Sequence, residues 1–124
     1  MTTKQQLEAL IADLEAADGP SRSLDRRIRV VAESLGIQIS RAMLRYTASI
    51  DAALRLVPEG WEWKVSNRAV EPDAGRAYIH TRELQHIGVS GMTPNPAYKG
   101  FENTAATPAL ALCIAALRAR LADD

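Results

Sequence analysis

One stretch constrains this chain more than any other. From Pro108 to Leu117 no residue is charged, and Thr107-Pro108 stands directly before a run of alanines and leucines. Threonine offers a hydroxyl to an orphan amide, and proline at the first helical position gives up an N–H that would go unpaired anyway, so a helix is expected to start here. Leu110, Ile114, Leu117 and Leu121 recur at helical spacing, with Cys113 beside them and Ala109, Ala111, Ala115, Ala116 and Ala119 around the rest of the cylinder. A helix that is apolar nearly all round must be covered on more than one side, and its alanines let neighbouring backbones come close. This segment is therefore expected to be the central helix of the fold.

At 124 residues, folding removes roughly two thirds of the accessible surface of the unfolded chain, which suits one domain spanning 1–124 with one core. Fifteen basic and fifteen acidic residues cancel, which removes the usual electrostatic case for nucleic acid or an anionic membrane as the main partner. The lone cysteine, Cys113, has no internal disulfide partner and suits a small buried hydrophobe in a reducing cytoplasm. The polar N-terminus has no signal-peptide core, and Pro108 to Leu117 is about half a bilayer span, so neither export nor membrane insertion is expected.

Thr3 and Gln6 have capping-box spacing before a first helix with Leu7, Leu10, Ile11 and Leu14 on one face, closed by Gly19-Pro20. A second helix is expected from Ser21 or Ser23, with Leu24, Ile28, Val31 and Leu35 inward and Gly36 as its C-terminal cap. Its other face carries Arg22, Arg26 and Arg29; Glu33 continues that face and Asp25 is near, so it suits a solvated surface. Thr47 or Ser49 can cap a short third helix with Ile50, Ala53, Leu54 and Val57, in which Asp51 and Arg55 have ion-pair spacing. After the turn at Pro58-Glu59-Gly60, Trp61 to Ser66 alternates as a strand with Trp61, Trp63 and Val65 on its apolar face. Arg76 to Thr81 and Leu84 to Val89 follow as strands, and Ser90 to Asn103 as a long loop. The expected fold class is α+β: a small antiparallel sheet of two to three or more strands sandwiched by helices, with a buried Ala/Leu-rich C-terminal helix.

Three pieces carry a family resemblance: Gly19-Pro20-Ser21 with Leu24-Asp25; Tyr46-Thr47-Ala48-Ser49-Ile50-Asp51-Ala52-Ala53 with Leu56-Val57-Pro58-Glu59-Gly60-Trp61; and Ala105-Ala106-Thr107-Pro108-Ala109-Leu110-Ala111-Leu112-Cys113. In these the chain resembles the phage alpha-beta-alpha sandwich domain family of small phage and prophage proteins. The resemblance implies a three-layer sandwich and a setting in the bacterial host cytoplasm. It implies no activity and no catalytic residue.

Candidate chemistry is sparse. His80 and His86 are six positions apart, which is neither helical nor strand ligand spacing, and Glu83 alone does not complete a metal set. Thr47, Ser49 and Asp51 are accounted for by helix capping rather than by a nucleophile and base, and no phosphate-cradling glycine loop is present. Trp61 and Trp63 suit a packed sheet face better than a stacking platform flanked by Lys64, Arg68, Arg76 and Arg82. No cofactor is expected. The leading function is a non-catalytic binding module for a protein or small anionic ligand. A role in phage assembly is the alternative, and a small enzyme comes third. A ligand-binding position is expected where the Ser90 to Asn103 loop meets the last helix, using Tyr98, Lys99, Phe101, Thr104 and Thr107, because helix N-termini favour anions.

Overall fold

A computed structural model of the chain describes residues 3–37, 44–67, 75–81, 84–87, 91–94 and 99–122. The Thr107 hydroxyl accepts the Leu110 amide at 3.2 Å, and Pro108 opens the last helix. Among the described residues, four helices and five strands follow in chain order: α1 (Thr3–Ala16), α2 (Arg22–Ser34), α3 (Ile50–Leu54), β1 (Glu62–Asn67), β2 (Gly75–His80), β3 (Leu84–Ile87), β4 (Gly91–Pro94), β5 (Gly100–Ala105) and α4 (Pro108–Ala122). This is a small α+β fold.

Every residue of α4 from Ala109 to Leu117 is buried, as is Ala119. The reason is its place between two layers: β2 and β5 lie against one side, α1 and α3 against the other, and α2 packs on α1. The alanines allow the close approach. Gly75, at the start of β2, sits so tightly on the first turn of α4 that a Cβ there would lie 1.9 Å from the Thr107 carbonyl carbon.

The sheet is antiparallel, in the order β1-β2-β5. Paired residues share a face, so Gly75 and Ala105, then Val65, Ala77 and Asn103, then Trp63, Ile79 and Phe101 lie on the α4 side. Trp61 stacks on Phe101 with ring centroids 6.0 Å apart, and both pack against the core. Trp63, on the edge strand, is 45% exposed, so only one of the two tryptophans fulfils the expected core role. β3 and β4 form a separate antiparallel ribbon.

The expected Ser90 to Asn103 loop is corrected by the structure, because Gly91–Pro94 is β4 and Gly100 to Asn103 belong to β5. The inward residues of β5 are Phe101, Asn103 and Ala105, and small side chains suffice beneath an alanine-rich helix. The apolar alternation that marks a strand is correspondingly weak there.

α1 buries Leu7, Leu10, Ile11 and Leu14, as its periodicity predicts. α2 buries Leu24, Ile28 and Val31; Leu35 is its C-cap, and Gly36 just beyond has the left-handed φ of +76° that closes such helix ends. Ser49 caps α3 by accepting the Ala52 amide, and the Asp51–Arg55 pair does not form, because α3 stops at Leu54 and Arg55 is its C-cap. No helix among the described residues is long and apolar enough to cross a membrane.

Candidate functional site

At the start of α2, the Ser21 side chain accepts the Leu24 amide at 3.3 Å, and Asp25 occupies the first turn. Asp25 is only 4% exposed. Its Oδ1 accepts both the amide and the hydroxyl of Thr47, each at 2.8 Å. The Thr47 hydroxyl in turn accepts the Ser21 amide at 2.8 Å. That hydroxyl also lies 3.2 Å from the Ser21 carbonyl, but its single proton goes to the nearer, charged oxygen. Thr47 thus docks the Leu44–Ser49 segment on α2 rather than capping a helix, and this brings Arg45 to the same place.

Arg22, Asp25, Arg26 and Arg45 line a cavity of about 320 Å³. Helical spacing puts Arg22 and Arg26 one turn apart on either side of Asp25. Of the six other described arginines, four have carboxylate partners: Arg27 with Asp13, Arg76 with Glu102, Arg29 with Glu33 at 3.5 Å and Arg118 with Glu15 at 2.7 Å; Arg120 donates to the Leu56 carbonyl at 3.1 Å, and Arg55 is exposed at the end of α3. Arg22, Arg26 and Arg45 have no ion pair among the described residues, and all three are exposed. Three positive charges against one negative leave the cleft two positive, and the partial positive charge at the start of α2 adds to that. An anion entering it meets fork-shaped donors from two segments of the chain.

The Ser21 and Thr47 hydroxyls are held in the cap and the clamp. Cys113 is fully buried, its thiol donates to the Tyr46 carbonyl at 3.2 Å, and burial pushes its pKa far above the usual thiol range. Burial also raises the Tyr46 phenol, against the opposing pull of Arg29 and Arg55.

Two further cavities are shallower in chemistry. One, of about 300 Å³, is the groove between α1 and α2 around Ala9, Leu10, Val30 and Val31. The other, of about 530 Å³, lies over the sheet, where Lys64, Ser66, Tyr78 and the Arg76–Glu102 pair meet. Beside it the buried His80 ring stacks on Tyr78, with Nδ1 2.7 Å from the Thr81 carbonyl and Nε2 3.5 Å from Glu62. No cluster of three His, Cys, Asp or Glu side chains that could hold a metal occurs among the described residues.

Of the residues expected to form a site around α4, those the structure describes have separate surroundings. Tyr98 lies outside the described residues. The Lys99 amide donates to the Thr81 hydroxyl and its carbonyl accepts the Thr81 amide, Phe101 packs on Trp61, Thr104 pairs with Arg76 on the exposed face and Thr107 caps α4. Phe101 and Thr104 therefore point to opposite sides of β5, and the backbone of Gly75 sits on the first turn of α4. The arginine cleft was only half visible in sequence. Arg22 and Arg26 stood out as a row with Arg29, but Arg29 is paired, and its place is taken by Arg45, which comes from a segment without periodicity.

No family model, no curated protein and no solved structure matches the chain. The resemblance to phage sandwich domains therefore rests on the three quoted stretches alone, and the functional reading rests on the fold and the cationic cleft.

Proposed function

We propose that the protein is a non-catalytic binding module that holds a small anionic ligand between Arg22, Arg26 and Arg45, as a phage or prophage accessory protein in the host cytoplasm. One observation carries this reading: three guanidinium groups that lack carboxylate partners converge on one cavity, whereas most other described arginines are paired. Like charges held together repel, and an anion between them relieves the repulsion while making charge-assisted hydrogen bonds.

Calorimetric titration with inorganic phosphate tests the proposal. Saturable binding is expected, weakened by added salt. Replacing Arg22 or Arg45 with alanine should weaken it about tenfold, the lower end of what a hydrogen bond to a charged group contributes, with the melting temperature unchanged. Absence of saturable binding, or binding indifferent to both substitutions, overturns the reading.

A further inference from the structure

We propose that the ligand of the arginine cleft is a phosphate monoester carrying a neighbouring hydroxyl group, and that Asp25 Oδ2 accepts the proton of that hydroxyl. This rests on the cleft being the binding site and adds what the site selects.

Asp25 is a carboxylate in an awkward place. A cleft built only to hold an anion gains nothing from a negative charge among its arginines, yet Asp25 lines it. The clamp on Thr47 does not require that charge. Both Thr47 groups are donors, and both are satisfied by the single atom Oδ1; an asparagine carbonyl oxygen could accept the same two bonds. The second oxygen, Oδ2, makes no hydrogen bond among the described residues and is not sealed from solvent, although Asp25 as a whole is only 4% exposed. A carboxylate oxygen held this way is a fixed acceptor awaiting a donor, and Oδ2 is the polar atom Asp25 has left to offer to the cavity.

Charge and size complete the description. A phosphate monoester carries about −1.5 to −2 at neutral pH, which matches the two net positive charges of the cleft. The cavity of about 320 Å³ equals roughly ten water volumes, far more than one tetrahedral anion fills. It lies in the range that accommodates a small organic molecule. The phosphate would lie among the guanidinium forks, and a hydroxyl a few bonds away would reach Asp25.

Three probes separate the possibilities: inorganic phosphate, propyl phosphate, and glycerol 3-phosphate, which adds two hydroxyls to the same three-carbon chain. Glycerol 3-phosphate is expected to bind the unmodified protein about tenfold more tightly than propyl phosphate, because a charged acceptor fixed in place discriminates against an analogue that cannot donate to it. In Asp25→Asn the Thr47 bonds are retained and a negative charge is removed. Inorganic phosphate and propyl phosphate should then bind more tightly than to the unmodified protein, while the preference for glycerol 3-phosphate falls to about twofold or less. Equal affinities for the two esters in the unmodified protein would overturn the hydroxyl inference and leave the anion cleft standing. A preference that survives Asp25→Asn would remove Asp25 from the role. Failure of all three probes to bind would overturn both the inference and the reading beneath it. The ester comparison needs no variant, so it decides the matter even if Asp25→Asn folds poorly.

Discussion

Asp25 and Thr47 are 22 positions apart, and one carboxylate oxygen of the first holds both the amide and the hydroxyl of the second at 2.8 Å. Removing the carboxylate strands the buried Thr47 amide, while the hydroxyl can turn to the Ser21 carbonyl 3.2 Å away. Asp25→Ala is expected to cost about 2–3 kcal/mol, whereas Asp25→Asn, which keeps an acceptor, should cost less than about 1 kcal/mol. Urea unfolding of the two variants measures the difference, and equal losses would show that the clamp does not depend on its acceptor.

Gly75 has no room for a side chain, since a Cβ would lie 1.9 Å from the carbonyl carbon of Thr107, and that backbone belongs to the start of the central helix. Gly75→Ala should destabilise the protein by at least about 3 kcal/mol, at the upper end for overpacking. Gly19, around which nothing lies within 4 Å, supplies the control. Gly19→Ala should change stability by no more than about 1 kcal/mol.

Phe101 and Thr104 occupy opposite faces of one strand, so their alanine variants should part ways. Phe101→Ala loses the contact with Trp61 and is expected to lower stability by about 2–3 kcal/mol, discounted because the ring is only half-buried. Thr104→Ala, at an exposed position, should stay within about 0.5 kcal/mol. Thermal melts of the two single variants suffice.

Alkaline pH should destabilise the fold. Burial holds the Cys113 thiol protonated well above its usual range, whereas in the unfolded chain it ionises near pH 8.5. Above that pH the unfolded state binds fewer protons than the folded one, so stability falls by about 1.4 kcal/mol per pH unit for this group. The buried Tyr46 phenol adds a loss of the same sign at still higher pH. Cys113→Ala should flatten the slope between about pH 9 and pH 10 by one proton. An unchanged slope would assign the alkaline loss elsewhere.

Duplex nucleic acid is expected to bind weakly. Arg29 is engaged with Glu33 and Arg27 with Asp13, so the helix presents a cleft and not a continuous cationic row. Fluorescence anisotropy with a short duplex at physiological salt should give a dissociation constant no tighter than the non-specific range of about 10⁻⁶ to 10⁻⁴ M. Submicromolar binding that disappears with Arg22→Ala and Arg26→Ala would reverse this expectation.

The helices were legible in the sequence because each carries its own local signals: Thr107-Pro108 for α4, Ser21 and Gly36 for α2, and the leucine stripe for α1. β1 was legible because Trp63 and Val65 alternate with Glu62, Lys64 and Ser66, and β2 because Tyr78 and Ile79 are strong strand formers. β5 was not, since its inward Asn103 and Ala105 lie beneath an alanine face and show no hydrophobic period. The cleft depends on contacts no window of sequence contains. Thr47 has the composition of a cap, and only the partner 22 positions earlier shows that it is a clamp. Arg45 lies between elements, where no period exists to say which way a side chain points.

The position of α4 in the chain has a consequence for synthesis. Its partners α1, α3, β2 and β5 all precede it, so a nascent chain that has emerged from the ribosome through β5 has the walls of the core and not its centre. Until α4 follows, Leu7, Leu10, Ile28 and Ile79 have no filled interior to pack into. Folding should therefore occur in one late step, after the helix has cleared the exit tunnel, and the exposed faces of the incomplete chain are where chaperones would bind during translation.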